Sequence, residues 1–469
     1  MMLAAPKPSS YPMRNHRSTR RSRWLWLVVA ICCTGGCVAD ARRIGDARDA
    51  YARGDLAEAR RKLELLSRQR KYREVAELDL VLLDMNEGRF DEATRRLRQV
   101  RQTCQDGGDD AAASTVASML TDDRQRRYRV AVEEMALIET LMAICSLQTD
   151  GIDASSHALR AVGHLTGSPT AKAVPTDRRV ALAPYVRGLI REANHRDYED
   201  AGRAYAQVAA IQSDFAPIGQ DIARAGGGVH SRPGHGVLYV FAFVGRGAEL
   251  RPTTAATTTE VLAAASAAFS VWQQRRDADG SKNSNASDPL ILPNIASVQV
   301  PTVYTPPPQI ASVLVSVDHS PVGFTQTLSD LTEVAKNRLA DEMPAIMTRA
   351  VLRRMIKEAS VAATTDGMGL EGNAASLARF ATSSAWAAAE KPDLRCWSFL
   401  PATIQVMRLE LPVGDHTIGF QSKPSIAPED ASSRVSIEDG RNSYRLVFGS
   451  GPSLRVVEPS ESPGSHKRF

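Results

Sequence analysis

The chain has 469 residues, of which 43% are hydrophobic and 24% are charged. Both fractions are ordinary for a globular protein, and the length allows two or three domains of roughly 150 residues each. The formal net charge of +5 is concentrated in the first 36 residues, where Lys7 and five arginines have no acidic counterpart. Without these six charges the net charge falls to −1, so composition gives no general electrostatic reason to expect a nucleic-acid partner.

The segment Arg20–Cys37 has the three parts of a secretory signal: basic residues, an apolar run from Trp24 to Ile31, and small residues before a cysteine. The apolar run is shorter than the roughly 20 residues that span a bilayer, which argues against a permanent transmembrane helix. Thr34-Gly35-Gly36-Cys37 resembles the bacterial lipobox, although Thr34 replaces the usual aliphatic residue. We therefore predict a signal peptide over 1–36, lipidation of Cys37, and membrane attachment through this anchor. The alternatives are an ordinary cleaved signal and an uncleaved anchor.

An internal repeat follows in a stretch almost free of Gly and Pro, whose apolar residues recur at helical spacing. Three positions recur at an interval of 34 residues, the period of tetratricopeptide repeats. The glycine is expected at a turn between antiparallel helices, and the alanine allows the helices to approach closely. We predict a helical repeat domain over 37–225 that binds an envelope protein or peptide or, alternatively, only positions the next domain. Its signature pairs are Gly54 with Gly88, Leu56 with Phe90, and Ala59 with Ala93.

Composition changes at 226–236, which we interpret as a linker, and 237–450 is predicted to be a mixed α+β domain before a disordered tail over 451–469. A long helix is predicted over 328–363, kinked or divided at Pro344, with a further helix over 374–389. On the long helix, Arg349, Arg353, Arg354 and Lys357 form a basic set that could contact a polar ligand or lipid headgroup, or face solvent. Strands are predicted over 236–244, 297–300, 311–317, 402–411 and 416–421, and a final hairpin joins 433–437 to 443–448 through Asp439-Gly440.

The motif Arg395-x-Trp397-x-x-Leu400-Pro401, with the strand residues that follow it, resembles the C-terminal region of an uncharacterised family of bacterial envelope lipoproteins. The resemblance implies a lipobox, tetratricopeptide-like helices, a second α+β domain, and a location at the outer membrane facing the periplasm. It implies no reaction. From the residues alone, Trp397 can anchor an apolar layer, while Arg395 stacks on it or pairs with a carboxylate. A role for this pair in ligand binding or at an interface is the alternative.

The sequence contains no recognisable catalytic or metal-binding pattern. There is no HExxH or Gly-x-Ser-x-Gly motif, and no histidine lies near other potential metal ligands at a spacing typical of a metal site. Cys104 and Cys145 could pair in an oxidising compartment or remain buried thiols. We therefore predict a non-enzymatic lipoprotein of the cell envelope, without a cofactor, that acts as a scaffold or interaction component. The alternatives are an envelope hydrolase or transferase with its site in the second domain, and a protein that binds a lipid or small ligand.

Overall fold

The computed structural model describes residues 36–106, 128–167, 173–278, 296–367, 391–424 and 431–459. The chain divides into two units, Met1–Gly45 and Asp46–Phe469. The second unit contains both helices and sheets, so the fold is a mixed helix and sheet fold. The helix predicted over 374–389 lies outside the described residues. Within the part that is described, no helix is both long and apolar enough to cross a membrane.

Helices fill the described part of the chain before residue 230, and those after residue 55 pack mainly on their neighbours in sequence. Asp55 begins one of them, because its carboxylate accepts the Glu58 backbone N–H at 3.0 Å. The helices are α1 (Gly36–Ala52), α2 (Leu56–Ser67), α3 (Arg73–Asn86), α4 (Phe90–Asp106), α5 (Val132–Leu147), α6 (Ala154–Thr166), α7 (Leu182–Ala193), α8 (Tyr198–Ile211) and α9 (Ile218–Gly226), with a 3₁₀ turn at Thr176–Arg178.

The two signature glycines occupy equivalent turns. Gly54 has a φ of 79° and Gly88 a φ of 75°, in the left-handed region that favours glycine. Each turn leads into a helix whose repeated alanine, Ala59 or Ala93, is fully buried. Of the large residues, Phe90 is buried whereas Leu56 remains partly exposed. The two positions therefore share the glycine conformation and the alanine burial, but not the burial of the large residue.

The strands of the described residues form three sheets. A five-stranded sheet has the order β11-β10-β1-β7-β6, a four-stranded sheet has the order β5-β4-β8-β9, and β2 pairs with β3. In the five-stranded sheet only β1 and β10 are parallel. The strands are β1 (His235–Val244), β2 (Glu249–Ala256), β3 (Ser297–Tyr304), β4 (Ser312–Val317), β5 (Ser320–Phe324), β6 (Gln326–Asp330), β7 (Thr403–Pro412), β8 (Gly414–Lys423), β9 (Ala431–Ile437), β10 (Asn442–Gly449) and β11 (Arg455–Val457).

Strand β1 is buried on both faces. Its alternate residues Leu238 and Val240 belong to an apolar core shared with β4, β8 and β9 of the four-stranded sheet. On the opposite face, Tyr239 lies 6.4 Å from Tyr185 of α7, measured between ring centroids. The five-stranded sheet therefore lies between a helical layer and a second sheet, which explains the continuous apolar run over 236–244.

A separate apolar cluster joins two further helices to the two-stranded sheet of β2 and β3. Helix α10 (Thr259–Ala278) and helix α11 (Leu331–Gly367) pack on β3, with Phe269, Val300 and Val351 among the buried residues. Asp330 begins α11 by accepting the Glu333 backbone N–H at 2.9 Å. Helix α11 continues through Pro344, so the predicted helix is not divided there.

The predicted final hairpin is wrong. Strand β9 pairs with β8 in the four-stranded sheet, whereas β10 pairs with β1 in the five-stranded sheet. The Asp439-Gly440 turn therefore carries the chain from one sheet to the other. Gly440 has a φ of 68°, and its N–H donates to the His235 carbonyl at the start of β1. The turn was recognisable from the sequence, but the sheet that each strand joins depends on distant partners.

Candidate ligand cleft

The 395–399 segment is fixed to helix α3 by polar contacts. The Trp397 Nε1–H donates to the Leu78 carbonyl at 2.9 Å. The Asp79 carboxylate accepts the backbone N–H groups of Ser398 and Phe399 at 2.9 and 2.8 Å, and the Ser398 hydroxyl at 2.6 Å. Burial raises the pKa of Asp79 from 3.8 to about 6, although these donors oppose the shift. Both Trp397 and Asp79 are buried, so this contact is an internal joint between helix and segment.

Arg395 completes the same joint. Its guanidinium forms a two-point pair with Asp393, with the closest contact at 2.6 Å, and donates from Nη1 to the Lys71 carbonyl at 2.6 Å. The planar guanidinium suits this forked geometry. Arg395 thus pairs with a carboxylate, one of the two arrangements expected from the sequence.

Helix α11 presents different residues to its two sides. Met347, Val351 and Met355 pack into the cluster with α10 and β3. The stripe on the other side repeats every three or four residues, as neighbours on one helical face must, and its members Ile346 and Ala350 also contact that cluster. It consists of Leu331, Val334, Ala335, Arg338, Leu339, Glu342, Ile346, Arg349, Ala350 and Arg353.

This stripe forms one wall of a cavity of about 370 Å³. The other walls are the start of α5 with the residues before it, the 391–401 segment, and parts of β2 and β3. The volume lies within the range of about 300–1,000 Å³ typical of small-molecule sites. Four of the predicted ligand or interface residues line it, namely Arg349, Arg353, Arg395 and Trp397. The fifth, Lys357, lies one helical turn beyond Arg353 and is not part of the lining. We refer to this cavity as the cleft.

The carboxylates of the cleft are largely held by arginines. Glu134 accepts from Arg338 at 2.7 Å, and Glu133 accepts from Arg178 at 2.9 Å. The Glu134 charge raises the pKa of Arg338 well above its ordinary value. Arg395 holds Asp393 as described, and Glu342 is exposed.

Arg349 differs from Arg178, Arg338 and Arg395 because it forms no ion pair with a carboxylate of the described residues. Its Nε is buried and has no hydrogen-bond partner within the described residues. A buried N–H of this kind normally finds an acceptor, and leaving it without one costs free energy. Arg349 lies on the cleft stripe, so a ligand in the cleft could supply that acceptor.

Several cleft residues were not identified from the sequence. Tyr128 donates its hydroxyl to Glu134 at 2.9 Å, and burial raises its pKa well above the ordinary value. Gly247 lies where an added Cβ would be 2.4 Å from the Leu400 carbonyl oxygen, so this close approach requires glycine. In the sequence, Gly247 ends a Gly245-Arg246-Gly247 segment, a pattern that is typical of a turn and does not indicate a cleft. Cys396 also lines the cleft, and burial raises the pKa of its thiol.

The remaining predicted residues lie elsewhere. Cys37 is the second residue of α1, and the signal segment before residue 36 lies outside the described residues. The six repeat-signature residues are not in the cleft lining. Cys104, Cys145 and Cys396 are free thiols, so Cys104 and Cys145 do not form a disulfide in the structure.

Other chemistry has less geometric support. Among the described residues, no group of three or more His, Cys, Asp or Glu side chains could hold a metal ion. His416 is not in the cleft lining. Its Nδ1 lies 2.8 Å from an Asp318 carboxylate oxygen, and its Nε2 lies 3.0 Å from the Pro412 carbonyl. This arrangement supports a structural contact between neighbouring turns.

Comparison of the chain with protein families, with curated proteins and with solved structures found no match. The resemblance to envelope lipoproteins therefore stays a prediction from the sequence, and the functional argument depends on the geometry of the cleft.

Proposed function

We propose that this chain is an exported binding protein that holds a small organic ligand in the cleft along α11. The observation that carries the proposal is the convergence of an apolar helical stripe with Arg349 and Arg353 on one cavity of about 370 Å³. Apolar walls with a few directed polar groups are the usual composition of a ligand site.

The same geometry favours binding over catalysis. Three of the four carboxylates in the cleft lining, those of Glu133, Glu134 and Asp393, are paired with arginines. A general acid or base needs a carboxylate positioned for proton transfer to a substrate. The hydrolase or transferase alternative would thus have to use one of these ion-paired carboxylates or the exposed Glu342.

An uncharged fluorescent probe, N-phenyl-1-naphthylamine, tests the cleft without assuming a charged ligand. We expect its fluorescence to rise on binding to the purified full-length protein. The Ala335→Trp variant should reduce this rise at least tenfold, because Ala335 is partly exposed on the cleft stripe and an indole there fills the space.

The control is Ala267→Trp, which places the same side chain at an exposed position on α10 that does not line the cleft. Circular dichroism must show that both variants remain folded. Equal probe binding by Ala335→Trp and the unchanged protein would contradict the proposal, as would a complete absence of probe binding.

A second candidate function is favoured by the equivalent turns at Gly54 and Gly88. We propose that the helical layer is a tetratricopeptide-like array that binds an envelope protein or peptide and thereby acts as a scaffold. The support is the shared positive φ of the two glycines and the full burial of Ala59 and Ala93. Chemical crosslinking of the full-length protein in intact cells should give one defined adduct. Failure to obtain a reproducible adduct would contradict this candidate.

Attachment to the cell envelope is part of the same proposal. We expect Cys37 to carry a lipid that anchors the chain to the outer membrane on its periplasmic side. Metabolic labelling with a palmitate analogue should label the unchanged protein, and Cys37→Ser should abolish both labelling and processing. Cys33→Ser, four residues earlier, is the matched control and should leave labelling intact. Unchanged labelling of Cys37→Ser would refute the assignment.

A further inference from the structure

The two ends of the cleft differ in chemistry, which restricts what can bind there. At one end, the Leu331 backbone N–H donates to the Ala402 carbonyl at 2.9 Å, so the start of α11 lies beside the 400–402 segment. The lining at this end includes Leu331, Val334, Leu400 and Pro401. An apolar group placed here removes apolar surface from water on both sides.

The other end is cationic. The Arg354 guanidinium donates to the Ser297 carbonyl at 2.8 Å, which holds this part of α11 against the beginning of β3. Gln299, two residues along β3, lines the cleft together with Arg349 and Arg353. Arg349 and the Gln299 amide are donors at this end that suit a carboxylate or phosphate group, and the largely buried Arg353 adds a positive charge nearby.

The distribution of charge strengthens the difference between the ends. Nearer the apolar end, Arg338 is paired with Glu134 at 2.7 Å. Arg349 has no hydrogen-bond partner for its buried Nε within the described residues. Glu342, the nearest acidic residue of the same stripe, lies seven residues away and is exposed. The Arg349 Nε is therefore a donor that the acidic group of a ligand could satisfy.

The distance between the two ends sets the shape of the occupant. Leu331 and Arg349 are about 27 Å apart along α11, from the rise of about 1.5 Å per residue. A compact anion would contact the arginines but leave the apolar end empty. A purely apolar molecule would leave the Arg349 Nε without an acceptor.

We propose that the ligand of the cleft is an elongated anionic amphiphile, with its acidic group at Arg349 and Arg353 and its apolar chain directed toward Leu331. This inference rests on the proposed function and names the class of ligand. A long-chain carboxylate and a long-chain phosphate ester share the required chemistry, and the experiment distinguishes between them.

The experiment measures displacement of N-phenyl-1-naphthylamine from the full-length protein by four probes, each below its critical micelle concentration. Palmitate and hexadecyl phosphate carry an acidic group, hexadecanol has the same chain without a charge, and inorganic phosphate has a charge without a chain. We expect one or both of the acidic amphiphiles to bind at least tenfold more tightly than hexadecanol. Inorganic phosphate should not displace the dye, and the tighter of the two acids identifies the headgroup.

Variants then assign the headgroup position. Arg349→Gln should reduce the preference for the acid over hexadecanol at least fivefold while leaving hexadecanol binding unchanged, and Arg349→Lys should retain part of the preference. Lys336→Gln removes an exposed cation of the same helix that does not line the cleft, and it should have no effect.

The outcomes separate the inference from the proposed function. If the uncharged dye binds in the cleft but hexadecanol competes as well as the acids, the inference fails and the binding function stands. An unchanged preference in Arg349→Gln also overturns the inference. If the dye does not bind at all, both proposals fall together.

Discussion

Two walls of the cleft differ in how completely their polar groups are used. In the 395–399 segment, Arg395 and Trp397 donate hydrogen bonds to acceptors within the protein. Ser398 and Phe399 of the same segment donate three hydrogen bonds to Asp79 of α3. In α11, the buried Arg349 Nε has no acceptor within the described residues. A wall whose polar groups all have hydrogen-bond partners stabilises the fold, whereas a wall with a donor that has no partner is suited to binding a ligand. Both walls contain residues that the sequence suggested for function, but the contacts assign them different roles.

The largest effect is expected from Trp397→Ala, because it removes the anchor of the satisfied wall. Trp397 is only 3% exposed, and its indole N–H bonds to α3. Truncating a buried tryptophan typically lowers the free energy of unfolding by about 3–5 kcal/mol. Urea unfolding followed by circular dichroism measures the change. A loss below about 1 kcal/mol would show that the 395–399 segment is not a structural joint.

A pH-dependent effect is expected at Asp79. Its folded-state pKa of about 6 exceeds the ordinary value of 3.8, so the folded chain retains a proton that the unfolded chain has released. The resulting stabilisation is full below about pH 4 and is lost as the pH rises through about 6. A shift of about 2 units corresponds to about 3 kcal/mol of unfolding free energy.

Asp79→Asn isolates this contribution. The amide oxygen can accept the two backbone N–H groups, and the amide nitrogen can donate to the Ser398 hydroxyl. We expect the variant to be at least as stable as the unchanged protein above pH 7. Its unfolding free energy should also lack the decrease between pH 4 and pH 6 that the deprotonation of Asp79 causes in the unchanged protein. The measurement is the difference between the two unfolding free energies from pH 4 to pH 8. A difference that does not change with pH would contradict the assigned pKa.

A smaller effect is expected from Arg395→Lys. Lysine retains the charge but cannot form the forked pair with Asp393 while also donating to the Lys71 carbonyl. We expect a loss of about 1–3 kcal/mol in unfolding free energy, since buried polar groups lose partners. Arg61→Lys is the matched control, because Arg61 is largely exposed and pairs with Glu58 at the surface. Equal losses of unfolding free energy in the two variants would show that Arg395 contributes no more to stability than a surface arginine.

The comparison also shows what the sequence could predict. Local signals sufficed for Gly54 and Gly88, whose turn conformation depends on neighbouring residues, and for strand β1, whose apolar run reflects burial on both faces. Asp79 was missed because it lies within an apolar helical run, and its partners are 319 and 320 residues away. The final hairpin was wrong for the same reason, since sheet membership depends on distant strands. Arg349 was found as part of a basic set, but only the fold shows that its Nε has no acceptor among the residues that the structure describes.

The smallest effect is expected from Lys357→Gln, which tests where the cationic end of the cleft stops. Lys357 belongs to the basic set predicted from the sequence, but the cleft lining ends at Arg353, one turn earlier. Removing this partly buried charge should change the unfolding free energy by no more than about 1 kcal/mol. It should also leave the affinity for palmitate and for hexadecyl phosphate within twofold of the unchanged protein. If Lys357→Gln weakened acid binding as strongly as Arg349→Gln, the general positive charge of α11 would explain the preference, and a headgroup site at Arg349 would not.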